Sequence, residues 1–105
     1  MIVYISNELA LVNKKSDDLK NITSAHIRAA RALIRWTAED LAREAVLGVA
    51  TIRRAESADG PPKMTPANLA AVRRTLEAAG VEFLFENEGG LGVRLRNGQR
   101  LGRGS

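Results

Sequence analysis

Thr37-Ala38-Glu39-Asp40-Leu41-Ala42-Arg43-Glu44-Ala45-Val46-Leu47-Gly48-Val49-Ala50-Thr51-Ile52-Arg53-Arg54-Ala55-Glu56-Ser57 is the stretch whose reading decides the fold. Thr37 is a helix cap, and Glu39 and Asp40 stand in the first turn, where the helix dipole favours acids. The spacing predicts a helix of about two turns over Ala38–Ala45, with Leu41, Ala42 and Ala45 inward. Val46-Leu47-Gly48 interrupts the pattern, and Gly48 suits either the end of one element or the cap of the next. A second short helix, Val49–Ser57, turns Ile52 and Ala55 inward. Ala58-Asp59-Gly60-Pro61-Pro62 ends it.

Working outward, Thr23 or Ser24 caps a preceding helix through Ala25–Arg35, with Ile27, Ala30 and Ile34 on one face. Downstream, Thr65 as cap and Pro66 in the first helical position open a fourth helix. Its apolar face is Leu69, Val72, Leu76 and Ala79, and Gly80 stops it. Val81-Glu82-Phe83-Leu84-Phe85-Glu86 then alternates, with Val81, Phe83 and Phe85 to one side. Gly92-Val93-Arg94-Leu95-Arg96 alternates likewise, and Asn87-Glu88-Gly89-Gly90 is turn chemistry between them, so the pattern predicts a β-hairpin. The expected fold is mainly α: a four-helix domain over residues 22–80 with a C-terminal hairpin over residues 81–96. Residues 1–21, a short β-prone start followed by a polar run, read as a loose N-terminal arm. Residues 97–105, rich in Gly and Arg, read as a disordered basic tail.

Composition narrows the function. The 105 residues contain no cysteine, which removes disulfides, zinc–cysteine sites and thiol catalysis and fits a reducing cytoplasm. No apolar run approaches the roughly 18 residues of a membrane helix, and the start lacks the basic residues of a signal peptide. His26 is the one histidine, so neither a metal site nor a catalytic role is expected of it. No cluster of acid, base and nucleophile can be assembled, and the chain reads as a non-enzyme without cofactor. Gly89-Gly90-Leu91-Gly92 lacks the strand–loop–helix setting and the lysine of a phosphate loop and reads as a turn. The net charge is +4. Its excess sits in residues 22–80 and in the tail, which favours a polyanionic partner.

Two short helices across a tight turn form the arrangement that lays one helix in a DNA major groove while the other braces it on the backbone. Val49, Ala50 and Thr51 are small enough for the leading edge of such a helix, and Arg53 and Arg54 follow. Adjacent helical residues point different ways, so Arg54 is expected toward bases and Arg53 toward phosphate. The plain alternative is a solvated arginine face. A contiguous basic face around Arg43, Arg53 and Arg54 separates the two.

Thr37–Ala45 followed by Thr51-Ile52-Arg53-Arg54-Ala55-Glu56 resembles the phage-repressor (Cro/CI-like, XRE) helix-turn-helix family over roughly residues 24–80. The short bacterial regulators of that family are the most similar, since their last helix runs through Leu-Glu-Ala-Ala-Gly-Val-Glu-Phe into a Gly-rich hairpin, as Leu76–Phe83 does here. The resemblance implies a lambda-repressor-like fold with Leu41, Ala42 and Ile52 setting the interhelical angle. It also implies a buried ion pair between Arg31 and Glu56, base-facing positions at Val49, Ala50 and Arg54, and a phosphate-binding hydroxyl at Thr51. Two departures stand out. The family has Gly where Val46 stands, and a β-branched residue resists positive φ, so the turn is expected to be rebuilt around Leu47-Gly48. Ala38 replaces a phosphate-contacting Gln, leaving that contact to Thr37 and the helix N-terminus.

The function expected from this reading is a transcriptional regulator, more a repressor than an activator, binding double-stranded DNA at an inverted repeat as a homodimer. Val81, Phe83, Phe85, Val93 and Leu95 are expected to form the dimer face, the alternative being a hairpin folded back over Leu76 and Ala79. A module that masks a protein partner, of antiactivator or antitoxin type, is the second reading. A DNA-bending accessory factor for recombination is the third.

Overall fold

A computed structural model describes residues 2–4, 22–85 and 89–96. Thr23 Oγ1 accepts the amide of His26, and His26 Nδ1 accepts the amide of Thr23, so the first helix, α1 (Ser24–Ile34), opens on a reciprocal cap. Thr37 and Asp40 do the same for α2 (Ala38–Ala45), at 3.0 Å and 2.9 Å. Gly48 caps α3 (Val49–Glu56) with its backbone alone, and Ser57 lies just past the last turn. Thr65 caps α4 (Pro66–Ala78), with Pro66 where a missing N–H costs nothing. Gly80 follows it at φ 104°, a left-handed conformation that its missing Cβ permits.

The protein is thus mainly helical, with four helices among the described residues and a C-terminal antiparallel hairpin of β2 (Val81–Leu84) and β3 (Gly92–Leu95). Gly89 and Gly90 both take positive φ in the connection, while Asn87 and Glu88 of the expected turn lie outside the described residues. A third strand was not foreseen. β1 (Ile2–Tyr4) pairs antiparallel with β3, in the register Ile2 to Arg94, so the sheet order is β1-β3-β2. The expected loose arm over residues 1–21 therefore gives way at Ile2–Tyr4 to an edge strand, and its remainder lies outside the described residues, as does the tail 97–105.

The hairpin corrects a second expectation. Val81, Phe83, Phe85 and Val93 are buried within the single chain, and Leu95 packs half-buried on the same core. They cannot also be a dimer face. The physical reason lies in the helices. Both α1 and α4 pack against the sheet, and His26, Ile27 and Ala30 on α1 and Val72 and Leu76 on α4 are all buried. These faces leave an open layer that the strand side chains fill, and an isolated hairpin has no other source of stability.

His26 lies at the centre of this seam. Its ring is fully buried, with centroids 5.8 Å from Phe83 and 5.4 Å from Phe85. Because Nδ1 accepts from Thr23, the proton resides on Nε2, which donates to the Leu84 carbonyl at 3.1 Å. Burial holds the imidazole below its ordinary value, outweighing the opposing effect of the Leu84 carbonyl.

The link between α2 and α3 is the third correction. Val46 itself takes the left-handed conformation, φ 61°, ψ 48°, with Gly48 at an ordinary φ of −75°. The turn is not rebuilt around Leu47-Gly48. Its hydrogen bonds explain why: Val46 N–H reaches the Ala42 and Arg43 carbonyls, and Leu47 N–H reaches back to Ala42 at 2.9 Å. These bonds close the helix end in the Schellman manner. They hold Val46 in a region that L-residues occupy at a cost of roughly 1–2 kcal/mol, with its side chain 86% exposed.

Two outcomes are expected. Val46→Gly relieves the strain and forfeits little burial, so it raises stability by about 1 kcal/mol, read as a higher thermal midpoint. Since His26 binds its proton less readily folded than unfolded, stability is fully present above pH 6.5 and declines as pH falls below it. Urea midpoints measured between pH 7.5 and about pH 5, above the main carboxylate range, should fall for the parent chain and stay nearly flat for His26→Gln.

Candidate nucleic-acid interface

The eight residues of α3 are too few to hold a helix in water without tertiary support, and α1 supplies it. Ile52 and Ala55 are fully buried. At its C-terminal end, where helix carbonyls lack intrahelical donors, Ser24 Oγ donates to the Ala55 carbonyl and Arg28 to the Glu56 carbonyl. Arg31 meets the Glu56 carboxylate in a fork, Nε to Oε2 at 2.7 Å and Nη2 to Oε1 at 2.8 Å, and its Nη1 donates to the Trp36 carbonyl at 2.8 Å. The side chains are 22% and 9% exposed, respectively. The hydrogen-bonded carboxylate favours the charged guanidinium and raises the Arg31 pKa.

With its inner face held in this way, α3 turns Ala50, Arg53 and Arg54 to solvent. Ala50 and Arg54, at i and i+4, share one strip of that surface. Thr51 is half-buried, and Val49 is half-buried against the core, so Val49 does not join the outward strip as the resemblance implies. Thr37 is exposed at the start of α2, with its amide engaged by Asp40. Trp36 packs half-buried on the core, which fits a lid and not a base-stacking ring.

The charges on this face are not the contiguous basic surface that separates DNA binding from a solvated face. Three arginines (43, 53, 54) stand on α2 and the outer side of α3 with three acids (39, 40, 44), Glu56 being held against α1. Arg53 on α3 pairs with Glu39 on α2. Arg43 reaches Asp40 at 3.1 Å and Glu44 at 3.5 Å. The Arg53 guanidinium holds the Glu39 carboxyl below its ordinary value, and the Thr37 amide does the same for Asp40. Among the described residues, Arg54 is the arginine of this face without a carboxylate partner. Glu39 was absent from the sequence-based site. Its proximity to Arg53, fourteen positions away, follows from the α2–α3 angle and has no sequence signal.

No protein-family profile and no curated protein matches the chain. Among the described residues, no helix is long and apolar enough to cross a membrane.

Arg31→Ala leaves Glu56 charged against the core and the Trp36 carbonyl without its donor. It should destabilise the fold by about 3 kcal/mol, the lower end for breaking a buried pair because the guanidinium is partly exposed. Urea denaturation checks this; a loss below about 1 kcal/mol would place the pair among ordinary surface bridges.

Proposed function

We propose that this chain is a sequence-specific DNA-binding regulator of the phage-repressor helix-turn-helix type, acting in the cytoplasm on an inverted-repeat operator. The observation that carries the reading is the outward strip of α3. A small residue, Ala50, and an arginine with no acidic partner among the described residues, Arg54, stand one helical turn apart on a helix whose other face is locked to α1. Such a helix suits a groove about 12 Å wide, and the clasp behind it fixes the backbone from which Arg54 extends, so that only the side chain remains to be ordered. The guanidinium fork of Arg54 suits the two acceptors of guanine. Thr37 and Thr51 offer hydroxyls to phosphates, and Arg43 and Arg53, once parted from their carboxylates, neutralise phosphates and release counterions. One short helix reads few base pairs, so two copies act together and the operator mirrors their symmetry. Bound at a promoter, the pair blocks polymerase.

A second reading has one observation in its favour. The acids Glu39, Asp40 and Glu44 beside Arg43 and Arg53 make this face mixed in charge, which suits a module that masks a protein partner.

Selection of bound sequences from a random DNA pool separates the readings. An enriched inverted repeat supports the regulator; a pool that stays random overturns it in favour of the protein partner. On the selected site, Arg54→Ala should weaken binding by roughly 10- to 100-fold, with little change on mixed-sequence duplex. An equal loss on both would restrict Arg54 to backbone contact.

A further inference from the structure

The pair between Glu39 and Arg53 lies on the outer surface of the helix-turn-helix, not in its core. The side chains are 59% and 55% exposed, respectively. The pair bridges α2 to α3 on the face assigned to DNA. Exposed pairs of this kind contribute about 0–1 kcal/mol to a fold. Their electrostatic effect on a polyanion at the same face is larger, because every phosphate approaching Arg53 also meets the Glu39 carboxylate. Arg43, held by Asp40 and Glu44, repeats the arrangement within α2. Arg54 does not.

We infer that Glu39 is an internal stand-in for a DNA phosphate: it occupies the Arg53 guanidinium in the free protein and is displaced when the backbone arrives. This rests on the DNA-binding reading of the same face. The consequence is a division of labour between neighbouring arginines. Arg53 gives up a carboxylate to gain a phosphate, and its net contribution to affinity is small. Arg54, which has no carboxylate partner among the described residues, gives up none, so the base contact carries a larger share of the total. Glu39 sets how tightly the protein holds DNA of any sequence without touching a base.

The test is a set of binding titrations with the parent chain, Glu39→Gln, Arg53→Gln, the double variant and Asp59→Asn. Asp59→Asn is a charge-matched control on the exposed loop after α3. The probes are a labelled mixed-sequence duplex and the duplex recovered by selection, each titrated between about 50 and 200 mM salt, where phosphate contacts weaken most visibly. Glu39→Gln should tighten binding about 5- to 10-fold on both probes, whereas Asp59→Asn changes it less than 2-fold. In the Arg53→Gln background the gain from Glu39→Gln should shrink to the size of the control, since the two residues act through each other. A gain that persists without Arg53 would overturn the stand-in role and leave Glu39 as a general repulsive charge. Parent binding with no gain in Glu39→Gln overturns it as well. Failure of the parent and Glu39→Gln alike to bind either duplex would overturn the DNA reading itself.

Discussion

One guanidinium holds the architecture together. Arg31 extends from α1 to the last turn of α3 through two parallel hydrogen bonds to Glu56, and its third donor reaches the Trp36 carbonyl at the approach to α2. Three elements thus share a single planar group, whose geometry allows little variation in their mutual angle. The arrangement is asymmetric in energy. Formed intact, such a pair contributes little beyond what a well-packed apolar substitute would offer. Broken on one side, it leaves a carboxylate without its partner on a side chain only 9% exposed. The pair therefore acts as a constraint on shape more than a source of stability. What it constrains is the direction in which a short, otherwise unstable helix presents its outer face.

The sheet constrains the other side of α1. The rings of Phe83 and Phe85 close around His26, and the imidazole joins the capping turn of α1 to the Leu84 carbonyl of β2. A buried polar ring satisfied at both nitrogens specifies register in a way that an apolar residue of similar size would not. Cross-strand pairing of Glu82 with Arg94, opposite each other in the ladder, fixes the same register from the solvent side. Hence α1 is held between two polar fasteners, Arg31 toward the helix-turn-helix and His26 toward the sheet. Ile27 and Ala30 pack between them.

Much of this was legible wherever the signal was local. Thr37 with Asp40, Thr65 with Pro66, and Gly80 each state a helix boundary within a few residues, and the four helices stand where those signals put them. The alternation of Val81, Phe83 and Phe85 announced a strand face but not its partner. Whether such a face meets a second chain or the chain's own helices depends on how much volume alanine-rich helices leave open, which no local pattern records. Ile2–Tyr4 is too short for periodicity to single it out. At Val46 local preference pointed the wrong way, because the hydrogen bonds that close the end of α2 outweigh a β-branched residue's aversion to positive φ. The outward residues of α3 were legible as a set. That Val49 leans into the core and Arg53 meets Glu39 are consequences of the interhelical angle.

The pairing of β1 with β3 bears on the order in which the protein assembles. Ile2 lies opposite Arg94, so the ladder between them closes a loop of some ninety residues. Such contacts carry the largest entropic cost and form late. The helices and their clasp rest on much shorter separations, from Arg31 to Glu56 at the core of the motif. The helix-turn-helix can therefore consolidate before the ladder between β1 and β3 closes. β1, synthesised first, is among the last segments to find its place.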